Sequence, residues 1–107
     1  MSPRPICLAK LDKTRPVVVL TRALARPAMT KVTVAPITST VKGLSSEVPV
    51  GPENGLDASG AISLDNVVTI PAANLGKTVG QLSTAQERQL AVALVLAFDL
   101  DIPLRTE

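Results

Sequence analysis

The sequence predicts a mainly β domain, a small sandwich or barrel, with one α-helix at its C-terminus. Short apolar and β-branched runs recur between Ile6 and Leu82, with turn signals about every 8 to 12 residues. The period then changes. Ser83 and Gln86 have the S-x-x-Q spacing of a capping box, in which the serine oxygen accepts an orphan amide and the glutamine reaches back. Leu90, Ala93, Leu94, Ala97 and Phe98 follow at the i, i+3, i+4, i+7, i+8 positions of a helical stripe. At 107 residues the chain is expected to form a single domain spanning 1–107.

Ile6 to Leu11 reads as a first strand, and Asp12 to Thr14 connects it to a second at Arg15 to Thr21. Pro16 offers no amide hydrogen to a ladder, so it belongs at a strand start or an edge. Val17 to Leu20 is wholly apolar, which implies burial on both faces and a central position. Arg22 to Thr30 reads as a loop, with room for a helical turn before Pro27. In Lys31 to Ile37, Val32, Val34 and Pro36 alternate with Thr33, Ala35 and Ile37, the period of a strand. Glu47 to Val50 follows as a short strand, and the glycines and prolines from Gly51 to Gly60 punctuate a loop. Ala61 to Ile70 is strand-like with a break at Asp65 and Asn66, Pro71 to Gly76 is a turn, and Thr78 to Leu82 is the last strand. Val92, Val95 and Leu96 lie off the helical stripe and add apolar surface, which suggests a subunit contact.

Composition restricts the core and the chemistry. Hydrophobic residues make up 46% of the chain but Phe98 is its one aromatic residue, so Val, Leu, Ile and Ala must fill the interior. Cys7 has no cysteine partner, and its apolar setting favours a buried small side chain over a reactive thiol. No apolar run reaches the ~18 to 20 residues of a membrane span, and the first ten residues carry an arginine and two prolines in place of an unbroken apolar segment. A cytoplasmic location is expected. Residues 1–50 hold eight basic and two acidic side chains, a net +6, whereas the remainder nets −4. A basic half gathered on one face would attract phosphates, although each cation can equally be a solvated strand end.

Histidine is absent, which excludes His-based acid and base catalysis and most zinc sites. Without Tyr or Trp, aromatic stacking platforms for single-stranded nucleic acid are missing too. The carboxylates are scattered rather than set at metal-ligand spacings. Arginine, lysine, hydroxyls and single carboxylates remain. Such a set suits metal-free RNA cleavage, in which the ribose 2′-OH attacks its own phosphate and the protein chiefly stabilises the phosphorane. The planar fork of arginine fits that task because it bonds two phosphate oxygens.

The segments Lys13–Leu20 (KTRPVVVL), Val32–Thr40 (VTVAPITST), Gly43–Gly51 (GLSSEVPVG), Gly55–Leu56, Leu64–Ile70 (LDNVVTI) and Leu75–Ser83 (LGKTVGQLS), taken in order, resemble the MazF/PemK (Kid) toxins of bacterial toxin-antitoxin systems. The resemblance implies an SH3-like barrel with a C-terminal helix and a homodimer. It also implies a sequence-specific endoribonuclease that needs no cofactor and leaves a 2′,3′-cyclic phosphate. Single-stranded RNA is then the substrate, and a MazE-like antitoxin with a disordered acidic C-terminal segment the inhibitor. Arg15 and Thr38 match the family's most widely implicated catalytic residues, and Asp65 matches a carboxylate implicated as a base in some members. Lys13, Arg22, Arg26, Ser39 and Lys42 are candidate RNA contacts. The first loop, Leu11 to Arg15, is shorter than is common in the family, and Val68 stands where a basic residue is frequent. By the residues alone, Arg15 can also be a strand-end arginine paired with Asp12 or Asp65, Thr38 an ordinary strand threonine, and Asp65 a structural carboxylate. A toxin of the same barrel type that inhibits DNA gyrase without cutting is the alternative function.

Overall fold

A computed structural model describes residues 3–101 of the 107. It contains seven strands, β1 (Pro5–Lys10), β2 (Thr14–Val19), β3 (Lys31–Thr38), β4 (Glu47–Val50), β5 (Gly60–Ser63), β6 (Val68–Pro71) and β7 (Leu75–Gln81), followed by helix α1 (Thr84–Ala97). The sheet runs β4-β5-β3-β2-β1-β7, and β6 joins it on β3. This is the mainly β architecture with a C-terminal helix that the sequence predicts.

Strand β2 is central, between β1 and β3, and Val17, Val18 and Val19 are buried as their unbroken apolar run requires. Pro16 pairs with Leu8 of β1, and the ladder to β3 begins one residue later, at Val17 opposite Pro36. Strand β3 forks the sheet. Its first half, Lys31 to Val34, pairs with β6, and its end, Ile37 and Thr38, pairs with β5. Between β5 and β6 the chain makes a 3₁₀ turn at Leu64–Asn66, the break expected there.

Both faces of the sheet are covered. Ile6, Val18, Ala35, Ile37, Val48 and Ile62 pack with Leu64, Leu82, Leu90 and Ala93 beneath the helix. Cys7, Ala9, Val17, Val19, Val32, Val34 and Ile70 form the second core on the opposite side. Cys7 is thus a buried core residue, its sulfur 3.6 Å from the Thr78 hydroxyl. The period-2 alternation of β3 explains how one strand serves both cores: Val32 and Val34 point into one, Ala35 and Ile37 into the other.

The predicted capping box forms at the helix start, where Gln86 N donates to Ser83 Oγ and Ser83 N to Gln86 Oε1. One expectation fails at the other end. Phe98, placed on the buried stripe by its spacing, is 55% exposed. The helix stops one residue before it: Asp99 takes a left-handed conformation (φ 53°), Asp99 N donates to Leu96 O, and Leu100 N reaches back to Val95 O. This Schellman-type ending leaves Phe98 as the C-cap, its amide still bonded to the Leu94 carbonyl at the exposed end of the helix. The turn in the second loop also differs, for Pro27 lies within the 3₁₀ turn Arg26–Ala28 and does not follow it.

Candidate active site

The β2–β3 ladder fixes the centre of the site. The last paired residues of this ladder are Val17 and Pro36, and two residues beyond them on the two strands stand Arg15 and Thr38. Both line a cavity of about 760 Å³. Leu8, Pro16, Ile37, Leu56 and Val79 supply its apolar surface, and Lys13, Arg15, Thr38, Ser39, Asp57, Ser59 and Lys77 the polar groups. An apolar bed with a few converging polar groups is the usual make-up of a ligand site. Gly60 lets the loop before β5 close against the strand end, since a Cβ there would come within 2.5 Å of the Thr38 carbonyl oxygen.

Arg15 is held by Asp12, three residues earlier. Its Nε donates to Asp12 Oδ1 at 2.8 Å and its Nη2 to Oδ2 at 2.9 Å. The short first loop makes this local pair possible. The guanidinium's hydrogen bonds, followed by that from the Lys13 backbone, hold the Asp12 carboxyl well below the usual carboxylate range, and the carboxylate in turn raises the Arg15 pKa. Both groups therefore stay charged at neutral pH. The Nη1 of Arg15 makes no hydrogen bond among the described residues. The Thr38 Oγ1 accepts from the Thr40 amide at 3.0 Å, which fixes the hydroxyl oxygen and leaves its hydrogen free to donate.

Of the residues singled out in the sequence, Arg15, Thr38, Lys13 and Ser39 meet in this cavity. Asp65 does not line it. Asp65 sits in the 3₁₀ turn between β5 and β6, and its Oδ2 accepts a short hydrogen bond from the Ser46 hydroxyl. Arg22, Arg26 and Lys42 are also absent from the lining; Arg26 Nε donates to the Thr21 carbonyl, closing its own loop. Sequence reasoning missed Asp57, Ser59 and Lys77. Lys77 reaches the cavity from β7, which pairs with β1 on the side away from β3, so only the sheet order could have placed it there.

The match to known proteins is extensive. Residues 6–98 fit the family described as the PemK-like, MazF-like toxin of type II toxin-antitoxin systems. This chain belongs to that family. It is 55% identical to the endoribonuclease MazF3 of Mycobacterium tuberculosis over 98 residues, covering 92% of this chain and 95% of the relative. The solved Mycobacterium tuberculosis toxin MazF-mt6 superposes with a TM-score of 0.90 at 55% identity, covering 92% of this chain and all of that one. An endoribonuclease in complex with its cognate antitoxin, from a mycobacterial species, shares the fold at a TM-score of 0.83 and 21% identity, over 96% of this chain and all of that one. The SH3-like barrel expected from the sequence resemblance is the fold of this family member.

Proposed function

We propose that this toxin-family protein is a metal-independent endoribonuclease that cleaves single-stranded RNA by attack of the 2′-OH on the adjacent phosphate. The observation that carries the reading is that Arg15 and Thr38 line the same cation-lined cavity. The 55% identity to a protein named an endoribonuclease supports it and leaves the gyrase-inhibitor alternative without support.

In this reading the scissile phosphate lies between the strand ends. Arg15 bonds its nonbridging oxygens and stabilises the charge that grows on the phosphorane, while the Thr38 hydroxyl donates to one of the same oxygens. The raised pKa of Arg15 suits it to electrostatic stabilisation and not to proton transfer. Asp12 takes the orienting role, because its carboxylate already holds the fork in place. Lys13, Ser39 and Lys77 contact flanking phosphates. Asp65 stiffens the turn beside β3 through Ser46. Its assignment as base fits the geometry less well, and Arg22, Arg26 and Lys42 act as remoter cations along the RNA.

The toxin works in the cytoplasm as a homodimer, for which the exposed Val92, Leu96 and Phe98 supply apolar surface. A cognate antitoxin with an acidic segment neutralises it by covering the cationic cavity. Incubation with a long RNA and the matching DNA in EDTA tests the reading. RNA cut with cyclic phosphate ends and uncut DNA is the expected result. Uncut RNA, or cutting by Arg15→Ala at an undiminished rate, would overturn it.

A further inference from the structure

A second depression adjoins the first, and its chemistry is different. It has a volume of about 890 Å³ and shares Ser39, Ser59 and Gly60 with the cation-lined cavity, so the two form one continuous trough across the end of β3. Lys13, Arg15 and Lys77 line the first part. Among the described residues the second part has no cation, and its one charged lining residue is Glu53. A phosphate gains nothing there and is repelled by the carboxylate. A neutral heterocycle with a hydrogen-bonding edge fits: Val41, Val50 and Leu82 give it an apolar bed, and Gln81 and Gln89 stand along the lining.

The hydrogen bonds of the amides separate floor from reader. Asn54 and Gln86 form a reciprocal amide pair, with Asn54 Nδ2 donating to Gln86 Oε1 at 2.6 Å and Gln86 Nε2 to Asn54 Oδ1 at 3.0 Å. Their remaining capacity is used on the backbone of Gly51, Gln81, Ser83 and Pro49. That pair is saturated and forms a fixed floor. The Gln81 and Gln89 side-chain amides and the Glu53 carboxylate make no hydrogen bond among the described residues, and all three residues are exposed. Free amides and carboxylates read base edges: glutamine pairs bidentately with adenine, a carboxylate accepts from cytosine, and single-stranded RNA presents such edges splayed out.

We propose that this second part of the trough is a nucleobase-reading subsite, in which Gln81, Gln89 and Glu53 select a base flanking the cleaved bond. The assignment rests on the endoribonuclease reading and adds to it a division of labour, in which the cationic part holds phosphates and the part without cations supplies sequence choice.

The test is to digest one long RNA with the full-length protein and with Gln81→Ala, Gln89→Ala, Gln89→Glu and Glu53→Gln. The cut ends are then sequenced and the relative rates compared at every site. The alanine variants and Glu53→Gln are expected to lose about 10- to 100-fold of the discrimination at one position beside the cut. Gln89→Glu, which replaces a donor by an acceptor, should change the preferred base at that same position. Identical sites at identical relative rates in all four variants would overturn the subsite. So would a uniform loss at every site, or a changed dimer mass with an unchanged site pattern, which would make the trough a subunit face. Arg15→Ala run in parallel separates the two claims, since cutting by it at an undiminished rate removes the catalytic reading whatever the site pattern does.

Discussion

Arg4 and Arg15 make nearly the same ion pair, each gripping a carboxylate with Nε and Nη2. Arg4 binds Glu87 at 2.7 to 3.1 Å and spends its third nitrogen on the Val19 and Leu20 carbonyls, at 2.9 and 3.4 Å. It thereby ties β1 and the end of β2 to the first turn of α1, and no donor nitrogen is left over. Arg15 binds Asp12 just as closely but keeps Nη1 unengaged at the edge of a cavity. An arginine saturated by carboxylate and backbone belongs to the scaffold. One held from behind, with a face left open, is ready for an anion.

The comparison is broken most directly at Arg15. Arg15→Ala should lower RNA cleavage by about 10² to 10³ in kcat, with the chemical denaturation midpoint almost unmoved, and Arg15→Lys should recover little because it lacks the fork. Asp12→Asn sharpens the claim that the carboxylate positions the guanidinium. Cleavage should fall about tenfold, mainly in kcat, as the orienting contact weakens; a change confined to KM would argue for a substrate contact instead. Arg4→Ala should show the opposite pattern, losing about 1 to 2 kcal/mol of stability by urea titration while cleavage per folded molecule stays the same.

The smallest effect is a pH dependence. Arg4 holds the Glu87 carboxyl below its ordinary value of 4.5. A carboxylate with a depressed folded pKa contributes stability at pH above its unfolded value, and that contribution is lost as pH falls through the folded one. Urea midpoints measured below about pH 5 should therefore drop less steeply in Glu87→Gln than in the wild type. An identical acid limb would remove the pair from the stability account.

Much of the fold was legible because its signals are local. The apolar run Val17 to Val19, the alternation of Val32 to Ile37 and the capping box at Ser83 each depend on neighbours within a few residues. Phe98 was misplaced because spacing along a helix does not say where the helix ends, and the left-handed residue that ends it is an aspartate, not the glycine that would have announced it. The site was partly legible for the same reason. Arg15 stands beside Pro16 and Thr38 two residues past Pro36, in segments that a local pattern can mark, whereas Lys77 reaches the cavity from β7 and Asp57 from the loop before β5. For Asp12 the sequence offered a pairing with Arg15 as one possibility, and only geometry could choose between it and Asp65.

The reciprocal amides of Asn54 and Gln86 also bear on how the molecule opens. They join the loop that walls the cavity to the first turn of α1, and Gly55 and Gly80 bring the backbones of that loop and β7 so close that a side chain at either would collide. Neither segment can swing out without breaking the other's hydrogen bonds. In amide exchange the two should protect and release their hydrogens together, as one cooperative unit, so the cavity wall opens only when the start of the helix does.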